Sequence, residues 1–314
     1  MTFVIVDRDL DLSVGSTLGL VAVVFSLAFA PTAFDLPAWA AVLICLGVGL
    51  AVGLLNGVLV TWLKVPAFIA TLTMLFVGRG LVLGLTGGKT IAYEIKARDF
   101  AFFMLGENNA LGFNNQILVF LLVAVVGGIL LARTRWGYEA YAVGGNELAA
   151  EYAGIPTRRV RIRGFVLAAL CATLAGLMNV AQDKGVTSQY GLGAELIVIA
   201  AVIVGGASIL GGRGRVLGSC LGAILVVLID KVLREGVPIT RTLKVGNQEM
   251  QVQAMASLPP GAVPAFLGLI LLGIDPIDLL MQPERFPMLL RLRPRRAPII
   301  FRVRWRQVVS ISNL

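Results

Sequence analysis

The run LPAWAAVLICLGVGLAVGLLNGVLVTWL, residues 36–63, decides the fold class, because it contains no charged side chain. A helix needs roughly 17–25 apolar residues to cross a bilayer, so this run predicts a membrane-spanning helix. Strands of membrane barrels alternate apolar and polar residues over about ten positions, and this run does not alternate. Other apolar runs predict further spans, at 12–30, 65–86, 116–132, 164–181, 196–210, 216–233 and 262–281. The sequence therefore predicts an all-α, polytopic bundle of about eight transmembrane helices.

The composition agrees with this class and argues against an enzyme. The chain is 57% hydrophobic and only 14% charged, with a mean hydropathy of +0.86, whereas soluble domains carry about 25% charged residues. The sequence contains no histidine, which excludes His-based triads and HExxH zinc sites. Cys45, Cys171 and Cys220 lie far apart inside apolar runs, a pattern typical of packing residues rather than metal ligands. We therefore expect no catalytic site and no metal site.

The basic residues predict the orientation of the chain. Of the formal charge of +9, the tail at 282–314 supplies eight arginines against one glutamate. If loop 133–163 is cytoplasmic, alternation of the spans places 18 basic residues inside and 7 outside, in agreement with the positive-inside rule. An anionic lipid surface explains this charge without nucleic-acid binding. The sequence thus predicts a transmembrane domain at 1–281, a basic cytoplasmic tail at 282–314 and a bacterial inner-membrane location.

The first residues form an incomplete span. MTFVIV, residues 1–6, is apolar but too short to cross a bilayer, and it runs directly into the charged segment DRDLD. No basic region precedes it, so it does not have the pattern of a signal peptide. We expect Met1 to lie within a longer reading frame, with residues 1–6 forming a helix stub that ends at the cytoplasmic face.

Loop 133–163 contains the signature of a short helix. Asn146 is a favourable N-cap, Glu147 suits the positive end of a helix, Gly154 suits a C-terminal stop, and Pro156 follows it. A helix of about two turns is marginal alone in water, so it must dock on another surface. From the residues alone, that surface is either the chain's own bundle or a partner protein.

Four ordered blocks resemble the ribose/xylose-type monosaccharide group of binding-protein-dependent ABC permeases. They are MTFVIVDRDLDLSVGS at 1–16, LNGVLVTWLKVPAFIATLTMLFVGRGL at 55–81, AVGGNELAAEYAGI at 142–155, and GAELIVIAAVIVGGASILGGRGRVLG at 193–218. The third block is the pattern of the family's coupling loop, which branched-chain amino-acid permeases share. The chain departs from the family in the acidic DRD segment and in the arginine-rich tail.

The resemblance implies a transport subunit that binds no cofactor, because ATP is bound by a separate ABC ATPase subunit. It also implies a second permease subunit, a periplasmic sugar-binding protein and a sugar substrate as partners. LGLTGGKT, residues 83–90, ends like a P-loop, but the first glycine of that motif would fall on Leu83. We therefore reject a nucleotide site there. The residues that the resemblance assigns to ATPase coupling are Gly145, Asn146, Glu147, Ala149, Ala150, Gly154 and Ile155.

Small and polar residues within the spans predict packing faces and a polar route. Glycines at four-residue spacing let helices approach closely in lipid, and Gly49, Gly53 and Gly57 share one helix face, as do Gly218 and Gly222. Intramembrane polar side chains either line a transport path or make interhelical hydrogen bonds. The candidates for the path are Asn56, Thr71, Thr73, Arg79, Asn179 and Gln182.

Together these features predict the permease subunit of an ATP-driven importer for a monosaccharide or related polyol. The alternatives are a branched-chain amino-acid permease and a secondary transporter. Ion-coupled secondary transporters use carboxylates within their spans, and the carboxylates in the predicted spans here, among them Asp230 and Asp275, lie near span ends. The residues do not distinguish one sugar from another, or a homodimer of permeases from a heterodimer.

Overall fold

The computed structural model describes residues 1–93, 95, 99–108, 112, 114–235, 237–245 and 248–256. The chain divides into two compact units, Met1–Ile274 and Asp275–Leu314, and the second lies wholly outside the described residues. The predicted span at 262–281 and the tail at 282–314 lie outside them as well. The division of the chain at residue 281 therefore stays a prediction.

Helices build the described part of the chain, as predicted. Apolar runs become α3, α4, α6 and α9, which are long and apolar enough to cross a membrane, while α2 and α10 are shorter. The helices are α1 (Thr2–Val6), α2 (Val14–Phe29), α3 (Ala38–Thr61), α4 (Ala67–Thr86), α5 (Phe100–Phe103), α6 (Asn115–Arg133), α7 (Arg135–Gly145), α8 (Glu147–Tyr152), α9 (Thr157–Asp183), α10 (Ala194–Val204) and α11 (Val216–Glu235). The all-α membrane class is confirmed.

The run predicted as a span at 196–210 differs from that prediction, since α10 ends at Val204. Gly205 and Gly206 end it, and Gly206 has a φ of +87°, a conformation that costs glycine little and other residues much. The start of the following turn packs closely on α11, because a Cβ on Gly205 would meet the Gly218 backbone. The predicted span is thus a short helix followed by a glycine turn.

Two strand pairs interrupt the helical pattern. β1 (Ile91–Ala92) pairs antiparallel with β2 (Gly185–Val186), which ties the α4–α5 segment to the end of α9. β3 (Val237–Val245) pairs antiparallel with β4 (Gln248–Ala256), in the segment between the predicted spans 216–233 and 262–281. Apolar residues alternate with polar ones through most of 237–245 and 248–256. This period of two favours strands and was the signal that could have predicted the hairpin.

α2 is the central helix of the bundle. It packs against α3, α4 and α9, and 13 of its 16 residues are buried. At its C-terminal end Phe25 and Phe29 stack on each other and pack against Phe102 and Phe103. By contrast, α6 buries only Leu131 among its 19 residues, which suits a helix whose surface faces lipid.

The predicted glycine faces lie at close helix contacts. A Cβ on Gly49 would meet Thr173 Oγ1, one on Gly53 would lie 2.7 Å from Val166 Cα, and one on Gly57 would lie 3.0 Å from Ile162 Cα. α3 therefore packs along α9 through this face, without room for larger side chains. On α11, Gly218 and Gly222 face the backbone of Gly205 and Ala201 at the end of α10 in the same way.

The stub at the start of the chain forms α1, and all five of its residues are buried. It packs against α7 and α9, and Val6 O accepts a hydrogen bond of 2.9 Å from Gly212 N. Residues 7–13, here called the linker loop, then connect α1 to the central helix α2. The linker loop therefore lies between the bundle core and the helices α7 and α8, which fall in the loop predicted to be cytoplasmic.

Candidate coupling site and intramembrane polar residues

The short helix α8 begins and ends as the sequence predicts. The Asn146 side chain accepts a hydrogen bond of 3.1 Å from Ala149 N, which is an N-cap. Glu147 lies in the first turn, where a negative charge favours the helix dipole. Gly154 follows the helix with a φ of +80°, and Thr157 opens α9. Local capping thus determines a helix of six residues that stands between α7 and α9.

One face of α8 is packed on the protein itself and the other is open. Ala150 is 4% exposed and belongs, with the half-buried Ile155, to an apolar cluster that includes Phe3, Val6 and Val160. On the open face Leu148 and Tyr152 are 67% and 92% exposed. Two large apolar side chains on a two-turn cytoplasmic helix form a surface suited to protein contact.

The residues that the sequence assigned to ATPase coupling therefore divide into two groups. Ala150 and Ile155 hold α8 on the bundle, whereas Gly145, Asn146, Glu147, Ala149 and Gly154 are exposed. Sequence reasoning did not single out Leu148 and Tyr152, although their apolar character in a charged cytoplasmic loop was the available signal. Their role in coupling stays a prediction, as does that of the residues named from the sequence.

An ion cluster anchors α8 to the interior. The Arg161 guanidinium on α9 donates two hydrogen bonds to the Asp9 carboxylate, of 2.7 Å from Nε and 2.6 Å from Nη2. Its Nη1 donates to Glu147 Oε1 on α8 at 3.3 Å. The three residues are Glu147, Arg161 and Asp9, here called the Arg161 cluster. A fork of this kind is geometrically specific as well as strong.

The electrostatics of the linker loop follow from its burial. The Asp9 side chain is 4% exposed, and burial raises its pKa, while the hydrogen bonds and charge of Arg161 oppose that rise. The neighbouring Asp7 has a pKa raised well above its usual value, first by burial and then by the charge of Asp9. Its Oδ1 has no hydrogen-bond partner among the described residues. Arg161 therefore forms hydrogen bonds with one of the two carboxylates, that of Asp9.

A second set of contacts fixes α7 beside α1. Trp136 packs against Phe3 with ring centroids 5.7 Å apart, and Arg163 lies 6.0 Å from the centroid of the same indole. Glu139 pairs with Arg135 at 2.9 Å and with Arg163 at 3.5 Å. These contacts make α7, α1 and the start of α9 one packed layer at the cytoplasmic end.

Three of the residues predicted to line a transport path surround the start of α2. Asn56 Nδ2 donates to Ser13 Oγ at 2.8 Å, and Thr71 Oγ1 donates to Leu10 O at 3.2 Å. Arg79 Nη1 donates to Tyr190 O at 2.6 Å. The structure thus brings Asn56, Thr71 and Arg79 to one region, where the first two hold the linker loop and the start of α2 in place.

The other three path candidates lie elsewhere. Thr73 is exposed and bonds back to Ile69 O of its own helix at 2.9 Å. Gln182 is exposed near the end of α9, and Asn179 is half-buried one turn before it. The structure therefore does not bring these residues together with Asn56, Thr71 and Arg79.

Glu195 joins this region, although it is not among the path candidates named from the sequence. It is 8% exposed, and a Cβ on Gly15 would meet its carboxylate. One turn further along α2, a Cβ on Gly19 would lie 3.4 Å from Arg79 Nη1. Arg79 Nε, Arg79 Nη2 and Glu195 Oε2 have no hydrogen-bond partner among the described residues. A guanidinium and a carboxylate thus lie beside one face of α2 with bonding capacity unused.

Among the described residues, no group of three or more cysteine, aspartate or glutamate side chains could hold a metal ion. The described residues also form a cavity of about 620 Å³, lined by Tyr141, Arg213, Arg215 and the glycine turns around them. Tyr141 Oη donates to Gly214 O at 2.6 Å across it.

Known proteins similar to this chain are transport permeases. The chain is 39% identical over 233 residues to the autoinducer 2 import system permease protein LsrC of Yersinia enterocolitica serotype O:8, covering 74% of this chain and 62% of that protein. It is 38% identical over 233 residues to the LsrC proteins of Yersinia pestis and of Yersinia pseudotuberculosis serotype O:3, covering 64% of each. The chain thus spans somewhat less than two thirds of these relatives. No solved structure matches it.

The family comparison covers most of the chain. The family described as "branched-chain amino acid transport system / permease component" matches residues 1–273, which include every described element. The resemblance to importer permeases that the four sequence blocks carry is confirmed, and so is a multi-pass location in the inner membrane. This chain therefore belongs to the family of branched-chain amino acid transport system permease components.

Proposed function

We propose that the chain is the membrane-spanning permease subunit of an ATP-driven importer for a monosaccharide or related polyol. The observation that carries the proposal is α8, a capped cytoplasmic helix with an open apolar face and an ionic anchor to the core. An ABC ATPase subunit is the partner that fits it, because the chain's own family is built of transport permeases. ATP would be bound by that subunit, and the permease itself would break no bond.

The docking surface is the pair Leu148 and Tyr152. Exposed aromatic and aliphatic anchors of this kind dominate the binding energy of protein interfaces. The packed face of α8, with Ala150 and Ile155 in the apolar cluster, holds the helix against the permease when a partner pulls on it. Two permease subunits, two ATPase subunits and a periplasmic binding protein would complete the importer.

The experiment is recovery of the cognate ATPase with the full chain from detergent-solubilised membranes. We expect the double variant Leu148→Ala, Tyr152→Ala to lower recovery about tenfold or more, since interface anchors cost ~2 kcal/mol or more when truncated. Leu192→Ala is the matched control, because Leu192 is 66% exposed and lies between the predicted spans 164–181 and 196–210, on the side of the membrane opposite to loop 133–163. Unchanged recovery of the ATPase with the double variant would contradict docking on α8.

The polyol assignment is supported by the sequence blocks DLSVGS and ELIVIAA, at 11–16 and 195–201, and by relatives that are named as permeases of autoinducer 2 import. The description of the family favours a second candidate, import of a branched-chain amino acid. Uptake of labelled D-ribose and L-leucine by cells that carry the complete importer separates the two. Uptake that persists after ATP depletion would instead indicate a secondary transporter.

A further inference from the structure

Hydrogen bonds hold the linker loop along its length, between helix α8 and the helices of the core. Its Asp9 is held by the Arg161 fork, and its Leu10 carbonyl accepts from Thr71 on α4 at 3.2 Å. Its Asp11 accepts from Ser13 N at 2.8 Å and from Ser13 Oγ at 2.6 Å. Seven residues therefore contact three helices before α2 begins.

The last contact reaches a third core helix. Ser13 Oγ, which donates to Asp11, accepts from Asn56 Nδ2 on α3 at 2.8 Å. Ser13 is also the N-cap residue of α2, and its carbonyl accepts from Thr17 Oγ1 at 2.8 Å. A displacement of the linker loop must therefore move the first turn of the central helix or break these buried hydrogen bonds.

Arg161 is the residue that joins this loop to α8. Its side chain is 19% exposed, and it contacts Glu147 with one nitrogen and Asp9 with two others. Asp9 and Arg161 are 152 positions apart in sequence, so this bond connects segments that share no local structure. Because a guanidinium is planar, movement of Glu147 changes the orientation that Arg161 presents to Asp9.

We propose that Arg161 is the positioning residue that transmits movement of α8 to the linker loop and so to the central helix α2. This inference rests on the proposed function, since it takes the ATPase as the source of the movement. The coupling element has two arms: Glu147 to Arg161 receives the displacement, and Arg161 to Asp9 delivers it to the core. Removal of either arm uncouples the core from α8 while the open face of α8 remains intact.

The test is hydrogen exchange measured by mass spectrometry on the complex of the full chain with its ATPase. The probe is the non-hydrolysable nucleotide AMP-PNP with Mg²⁺, so no transported substrate is needed. In the wild-type complex, nucleotide changes exchange in both the α8 segment, 145–154, and the linker loop, 7–13. In Arg161→Gln, the response of 145–154 persists and that of 7–13 falls about tenfold, as expected for the loss of a typical coupling energy.

Two variants protect the test against misfolding. Glu147→Gln removes only the arm on α8, where the glutamate side chain is 51% exposed, and we expect it to reduce the 7–13 response in the same way. Arg135→Gln is the matched control, because Arg135 pairs with Glu139 at 2.9 Å in the same cytoplasmic layer without contacting the linker loop. It should respond as the wild type does.

An unchanged response of 7–13 in both Arg161→Gln and Glu147→Gln overturns the inference, because the linker loop would then receive its signal by another route. A reduced response in Arg135→Gln as well overturns it too, because any charge change in this layer would have the same effect. Failure of the proposed function is distinct: the ATPase would not be recovered with the wild-type chain, and 145–154 would not respond to nucleotide.

Discussion

Two charged clusters of the molecule differ in how many of their donors and acceptors form hydrogen bonds. In the Arg161 cluster, the guanidinium bonds to carboxylates on both sides at 2.6–3.3 Å. Beside Gly15 and Gly19 of α2, Arg79 bonds only to the Tyr190 carbonyl, and Glu195 Oε2 bonds to nothing in the described part of the chain. The first cluster is closed and the second is open.

The difference in hydrogen bonding fits a different role for each cluster. A buried charge is costly unless it is paired and hydrogen-bonded, and the Arg161 cluster meets that condition, so its parts move together. Arg79 and Glu195 retain donors and an acceptor in a part of the bundle where polar groups are rare and functional. A closed cluster suits the transfer of movement, and an open one suits contact with a polar cargo.

The largest effect is expected from Arg161→Gln. It leaves the Asp9 side chain, 4% exposed, without its partner, and breaking a buried pair in this way costs about 3 kcal/mol or more. Thermal unfolding in detergent should show a large fall in Tm, and Asp9→Asn in the same chain should restore part of it. A variant with wild-type Tm would mean that the Arg161 cluster is not closed in the membrane.

Gly19→Ala should produce the next largest effect. It tests whether the open cluster depends on close helix packing rather than on hydrogen bonds. The new Cβ would lie 2.5 Å from Tyr190 O, the carbonyl that holds Arg79, and overpacking of this kind costs about 1–3 kcal/mol. Gly80→Ala is the control, because a Cβ on Gly80, next to Arg79 on α4, meets nothing within 4 Å. Equal Tm values for both variants would contradict the close approach at Gly19.

Glu195→Gln should change stability by less than about 1 kcal/mol, because Oε2 has no hydrogen bond to lose. If the open cluster lies on the transport path, the same variant lowers uptake by the complete importer severalfold. Thr73→Val, on the exposed face of α4, should leave uptake unchanged. A large loss of Tm in Glu195→Gln would show that Glu195 has a structural partner, and the contrast between the two clusters would disappear.

The smallest effect is expected from Asp7→Asn at acidic pH. Because the pKa of Asp7 is raised in the folded chain, the folded state favours the protonated carboxyl, which asparagine resembles. That contribution to stability is complete below the unfolded value of about 3.9 and is lost as the pH rises through the folded pKa. The Tm difference between variant and wild type should therefore be near zero in acid and grow in favour of the variant with rising pH.

A constant Tm difference between Asp7→Asn and wild type across that series would show that the pKa of Asp7 is the same in the folded and the unfolded chain. In that case Arg161 would have to neutralise two carboxylates rather than one.

Local sequence was sufficient for features that depend on neighbours along the chain. Asn146 and Gly154 predicted the bounds of α8, because a cap and a left-handed stop act within one turn. The spacing of Gly49, Gly53 and Gly57 predicted a packing face, but not that α9 would occupy it. The alternating pattern at 237–256 was also present and was not interpreted as strands.

Features that depend on distant residues were not predictable in the same way. Nothing near Asp9 in sequence points to Arg161, and nothing near Gly15 points to Glu195. Thr73 and Gln182 were as polar as Asn56 and Thr71, yet only the latter two contact the linker loop. A single sequence shows which residues are polar. It does not show which side of a helix faces the core when apolar residues lie on every side of that helix.

By itself, the sequence determined that this chain enters a membrane, that it is helical, and that a short capped helix interrupts its largest cytoplasmic loop. These properties follow from hydrophobic length and local capping, which act over a few turns. Only the tertiary structure decided that α2 is central, that Leu148 and Tyr152 are open while Ala150 is packed, and that Arg161 joins α8 to the linker loop. Such contacts arise when helices pack, because packing brings together charges that the chain itself keeps far apart.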